Sequence, residues 1–146
     1  MPVKNGSLHI GEAIRSVTRT ANIPWELIVV DDGSTDSTRN LVETYRRTWS
    51  QIKLITNPGM GKVAALNAAF TVSDGDIIAT LDADDCLGPS FWRQIAMSAD
   101  SCDCFTRDAI LIDDYGRILN TLRMSRHVLD QTFEEAVHEL SGLPRW

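Results

Sequence analysis

Apolar positions along residues 7–17, "SLHIGEAIRSV", return every three to four residues. Ile10, Ala13, Ile14 and Val17 therefore share one face of a predicted helix, with Ser7 placed to cap its start. The pattern changes at "ELIVV" (26–30), a β-branched run of the kind found in strands covered on both faces. Helical spacing resumes in "STDSTRNLVETYRRTW", where cap-type residues precede Leu41, Val42, Tyr45 and Trp49. "IKLI" is a second short strand, "NPGMG" a breaker loop, and "KVAALNAAFTV" an alanine-rich helix suited to close packing on a sheet. "DIIATL" predicts a third parallel strand, and "PSFWRQIAMSA" a helix with Pro89 in its first turn. "AILIDDYGRILNTL" predicts a β-hairpin turning at Asp113-Asp114-Tyr115-Gly116, and "LDQTFEEAVHEL" a last helix. Strands alternating with helices define an α/β class with a mostly parallel sheet flanked by helices. No repeat, linker or low-complexity stretch divides residues 1–146, which are read as a single domain.

Two of the predicted parallel strands end in clustered acids, Asp31-Asp32 and Asp82-Ala83-Asp84-Asp85. In sheets of this class ligands sit beyond the carboxyl ends of the strands. Acids gathered on one such edge repel one another unless a cation joins them. Oxygen-only ligands, without cysteine or histidine, suit Mg²⁺ or Mn²⁺, and such ions commonly bind substrate phosphates as well. The bland alternatives are an Asx turn at Asp31-Asp32 and a solvated acidic turn at Asp82–Asp85. Asp36 reads as a helix cap.

Composition removes several classes. The net charge is −6 and no basic run or stripe appears, so nucleic acid is not an expected partner. The apolar runs are short and interrupted, which excludes a transmembrane segment, and no signal-like segment opens the chain. Three cysteines do not make a disulfide framework. Cys102 and Cys104, on one face of a predicted strand, read as reduced and partly buried. A cytoplasmic location is expected, with association to the cytoplasmic face of a membrane through other proteins compatible with it. His9, His127 and His138 lack ligand spacing. Trp25 and Trp92 read as core aromatics, and Arg123 to Arg126 and Glu134-Glu135 as solvated faces.

"VVDDGSTDST", "NPGMGKVAALNAA" and "LDADD", in this order, resemble family 2 glycosyltransferases of the Rossmann-like GT-A fold. The opening "PVKNG" is similar to the end of that family's first strand, and "AILIDDYGRIL" to a hairpin of it. The resemblance implies a nucleotide-diphosphate sugar as donor, and an acceptor that is a saccharide, a lipid-linked group or a protein. Pro2, Val3 and Asp31-Asp32 would then line the base pocket. A carboxylate can accept the N3–H of uracil, which favours a UDP-sugar, and Asp32 is the first choice for that contact. Asp82-Ala83-Asp84 matches the DXD motif, with one carboxylate towards the ribose, Asp84 on the metal and Asp82 beside it. Asp85 takes a lesser role. Lys62 matches the family's basic residue at a helix start, where anions are favoured; an ordinary exposed lysine is the equal alternative. Asn67 belongs to the same motif, with a structural hydrogen bond the preferred explanation.

The parent reaction implied is inverting glycosyl transfer, which needs a carboxylate base on the acceptor hydroxyl. In the family that base lies in a later "ED"-like motif. "LSGLPRW" approaches that region, and Asp113, Asp114 and Glu139 do not match it, so no catalytic base is assigned. Most of the first strand is also missing ahead of Pro2, so the domain is read as incomplete. Three outcomes are expected of such a gap in a sheet: added residues fill it, a second chain does so in a homodimer, or stability is low. A non-catalytic nucleotide-sugar-binding or assembly module and a nucleotidyltransferase remain as alternatives.

Overall fold

The computed structural model describes residues 1–98, 109–112 and 118–122. The chain divides into two compact units, Met1–Gln94 and Ile95–Trp146. In the first, β1 (Pro2–Val3), β2 (Leu27–Asp31) and β3 (Ile52–Thr56) form a parallel sheet in the order β1-β2-β3. The helices are α1 (Ile10–Thr20), α2 (Thr38–Thr48), α3 (Gly61–Thr71) and α4 (Phe91–Ser98). In the second unit β4 (Ala109–Ile112) pairs antiparallel with β5 (Ile118–Leu122), with an irregularity between Leu111 and Ile112. The connecting turn expected at 113–116 and the helix expected at 129–140 lie outside the described residues, as do Cys102, Cys104, His127 and His138.

Successive strand residues point to opposite faces, and β2 shows how that parity builds two cores. Leu27 and Val29 face α1 and α2, in a cluster with Ile10, Ala13, Ile14, Val17, Val42 and Ile52. Ile28 and Val30 face α3, whose Ala65 closes the second cluster with Ala68 and Ala69 against Ile55. Val29 and Val30 are both 0% exposed, so neither face of β2 reaches water. Each such side chain contributes roughly 1.5–3 kcal/mol by burial. The four apolar positions expected on α1 are its four buried residues. The alanines of α3 let that helix lie close to the sheet, while its Val63 and Phe70 stay exposed. Trp25 and Trp92 pack against the first core, and the Trp92 indole N–H donates to Thr20 Oγ1 at 2.9 Å.

Two expectations are corrected. Ser7 does not cap α1: the helix begins at Ile10 behind His9, and the Ser7 backbone N–H donates instead to Asp36 Oδ2 at 3.1 Å. The segment 76–81, "DIIATL", is not a strand. A strand is held by ladder bonds to a neighbour, and β1 contributes only two residues, both paired with β2. Among the described residues no strand pairs with 76–81, and Ile77 and Ile78 remain 43% and 49% exposed.

Candidate functional site

The parity that splits the core also splits the Asp31-Asp32 pair. Asp31, the last residue of β2, follows Leu27 and Val29 towards α2. Its Oδ2 accepts from Arg39 Nη1 of α2 at 2.9 Å, and its Oδ1 from the Ser34 backbone N–H at 3.1 Å. Asp31 is 2% exposed. Burial pushes its carboxyl up, but the Ser34 and Arg39 hydrogen bonds outweigh that and hold it below the usual carboxylate range. Arg39 Nη1 also donates to Thr56 Oγ1 at 3.2 Å, tying α2 to the end of β3.

Asp32 takes the opposite side, towards α3. Its Oδ1 accepts from Asn57 Nδ2 at 2.6 Å and from the Gly61 backbone N–H at 3.1 Å, which its Oδ2 shares at 3.1 Å. Gly61 opens α3 with φ +83, a left-handed conformation that glycine adopts without strain. The adjacent residue, Lys62, extends its ammonium to Asp82 Oδ2 at 2.6 Å. The start of α3 therefore contacts the acids that follow β2 and those of the later turn in consecutive residues.

In that later turn Asp82, Asp84 and Asp85 can each offer one carboxylate oxygen within 4.8 Å of the others. The Asp85 N–H donates to the Asp82 carbonyl at 3.2 Å, which folds the turn. Burial and the charges of Asp84 and Asp82 raise the Asp85 pKa, and only Lys62 opposes them. Three crowded oxygen donors form a set that a hard divalent cation suits. Asp85, the lesser acid in sequence, thus stands in the same cluster as the DXD pair.

Pro2 and Val3 pair with Val30 and Asp31, and the Val3 carbonyl accepts the Asp32 N–H at 2.8 Å. Behind them Gly6 is pressed close: a Cβ there would lie 2.6 Å from Val3 Cγ2 and 3.6 Å from the Ala83 methyl. The DXD turn and β1 are therefore neighbours. The 4–7 loop is also joined to the 33–36 loop. Asn5, at φ +53, accepts the Thr35 N–H at 2.8 Å, while its own N–H donates to Ser34 Oγ at 2.9 Å. Asp36 stands one residue ahead of the N-cap, which is Ser37, and its Oδ1 accepts the N–H of Thr38, the first residue of α2, at 3.0 Å. Asn67 is exposed on α3.

Sequence reading missed Asn57, Arg39 and Asn5. For Asn57 the signal is the strand register, which the structure supplies. Leu27 to Asp31 pair with Ile52 to Thr56 in an unbroken register, which continued by one step sets Asn57 beside Asp32.

A parallel sheet covered on both faces, with two acids at the end of β2 and a cation-suited carboxylate cluster in the later turn, has the arrangement of a Rossmann-like, GT-A-like domain. The Glycosyl transferase family 2 profile matches residues 1–141, and the chain belongs to that family. It is 35% identical over 92 residues to an uncharacterized glycosyltransferase of Nostoc, covering 62% of this chain and 29% of the relative. It is 28% identical over 127 residues to a dolichyl-phosphate beta-glucosyltransferase of Trichomonas vaginalis, covering 86% and 38%. Over 86 residues it is 41% identical to a UDP-Glc:alpha-D-GlcNAc-diphosphoundecaprenol beta-1,3-glucosyltransferase of Escherichia coli, covering 58% and 33%. S. aureus TarS 1–349 superposes with a TM-score of 0.59 at 28% identity, covering 68% of this chain and 30% of that one. The same fragment in complex with UDP gives 0.59 at 27%, with the same coverage. The chain thus spans only 29–38% of the length of these curated relatives. No helix among the described residues is long and apolar enough to cross a membrane.

Proposed function

We propose that this chain is the donor-binding part of an inverting glycosyltransferase that takes a UDP-sugar with Mn²⁺ or Mg²⁺. The observation that carries the reading is the Asp82, Asp84 and Asp85 cluster, joined through Lys62 and Gly61 to Asp32. Asp84 and Asp82 would hold the cation, which when bound neutralises the diphosphate leaving group. Asp32 would receive the uracil N3–H, with Pro2 and Val3 beside it and Ala83 lining the turn. Lys62 would offer its ammonium to the phosphates at the start of α3, where helix N–H groups favour anions. Asp31 contributes to the same pocket through its turn rather than by direct contact, because its carboxylate is buried at 2% exposure against Arg39. The names of two similar proteins support a uridine nucleotide: one uses UDP-Glc and the other was crystallised with UDP. Titration calorimetry of UDP with and without Mn²⁺ tests the reading. Binding that requires the metal and is lost in Asp84→Ala is expected. Equal affinity after chelation, or in Asp84→Ala, rules out the metal role.

A further inference from the structure

Asn57 is 8% exposed at the end of β3, and every polar group of its side chain is engaged. Its Nδ2 donates to Asp32 Oδ1 at 2.6 Å and to the Gly61 carbonyl at 3.2 Å, and its Oδ1 accepts the Gly59 N–H at 3.2 Å. Two acceptors lie on the amine side and one donor on the carbonyl side, so only one orientation of the amide satisfies all three. The backbone is pinned as well, since the Asn57 N–H donates to the Asp31 carbonyl at 2.9 Å.

The consequence falls on Asp32. A carboxylate has about four lone-pair sites. Asn57 and Gly61 occupy Oδ1, and Oδ2 receives only the shared Gly61 N–H among the described hydrogen bonds. The carboxylate is thereby held at one rotation, with acceptor capacity left on Oδ2. We propose that Asn57 is a positioning residue that locks Asp32 so that Oδ2 meets a ligand N–H, making the site selective for a base carrying an N–H donor at that point. Uracil has such a donor at N3, whereas cytosine has an acceptor there that the carboxylate repels. This rests on the reading of Asp32 as the uracil contact. Without Asn57 the carboxylate rotates, and a site left with a rotating acceptor discriminates poorly even where it still binds.

The test compares UDP with N3-methyl-UDP by calorimetry in Mn²⁺, for the native chain, Asn57→Ala, Asn57→Ser and Asp32→Asn. The ratio of the two affinities is insensitive to the fraction of chain that is folded. The serine variant, too short to reach Asp32, serves if the alanine variant does not fold. The native chain should favour UDP roughly tenfold or more, as a hydrogen bond to a charged group implies. Both Asn57 variants should bring the ratio close to that of Asp32→Asn. A purely structural Asn57 would weaken both ligands alike and keep the native ratio. That result overturns the proposal while leaving Asp32 as the base contact. A native ratio near one, or no UDP binding, overturns the Asp32 reading and this proposal together.

Discussion

The Lys62 ammonium lies 2.6 Å from an oxygen of Asp82, so the first acid of the DXD motif already carries a cation supplied by the chain. A metal arriving there must share or displace that charge. Lys62→Met should therefore bind Mn²⁺ severalfold more tightly in the absence of nucleotide, yet bind UDP more weakly in its presence. Electron paramagnetic resonance of free Mn²⁺ reads the first effect and calorimetry the second. Both partners are well exposed, at 59% and 40%, so the variant's stability should change by less than about 1 kcal/mol. Weaker Mn²⁺ binding by the variant would show that Lys62 helps the metal rather than competing with it.

Asp31 and Arg39 predict a pH dependence. The folded carboxyl of Asp31 lies below its ordinary value, so its contribution to stability is complete above that value. It is lost as pH falls from about 4 towards the folded pKa. Arg39→Ala should cost roughly 1–3 kcal/mol at neutral pH. The lower end is expected because Arg39 is 44% exposed. Melting curves of Asp31→Asn and the native chain should differ at pH 7 and converge in acid. A constant difference down to pH 2 would remove the ionised pair as its cause.

Gly6→Ala probes the approach of β1 to the DXD turn. The added methyl would stand 2.6 Å from Val3 Cγ2, on a side chain that is stiff at its first torsion. A loss of about 1–3 kcal/mol is expected from such overpacking. Metal-dependent UDP binding should weaken in the fraction that folds, because Ala83 lies on the same side. A melting temperature equal to the native one would mean that Val3 yields freely.

Ligand linkage gives a fourth measurement. UDP with Mn²⁺ at 100 times its dissociation constant should stabilise the fold by about 2.7 kcal/mol. Chelation should abolish that gain, and Asp84→Ala should never show it. An equal gain with UDP alone would place the whole affinity in the base pocket and Lys62.

Elements whose cores are built from adjacent helices and strands were legible from pattern alone. Ile10, Ala13, Ile14 and Val17 form the α1 face because helical spacing suffices to place them. The segment 76–81 has an equally strong strand composition and forms none, because a strand depends on a partner that its own residues do not encode. The acids divide in the same way. Their position after β2 was readable. Which side each acid takes follows from the parity of β2, with Arg39 on one side and Asn57 and Gly61 on the other. That parity was in the sequence. The partners required the register between β2 and β3 and the placement of α2.

Surface loops ordinarily absorb insertions and deletions with little penalty. The stretch from Asn57 to Gly61 should be an exception. Its first residue grips Asp32 through a side chain, its last grips the same carboxylate through the backbone, and Lys62 follows at once. One residue more or fewer between these anchors would bring only one of them to Asp32 and would turn Lys62 away from Asp82. Members of a library with varied loop length should retain function only at the native spacing, whatever residues occupy Pro58 and Met60. In engineering terms this loop is a ruler rather than a tether.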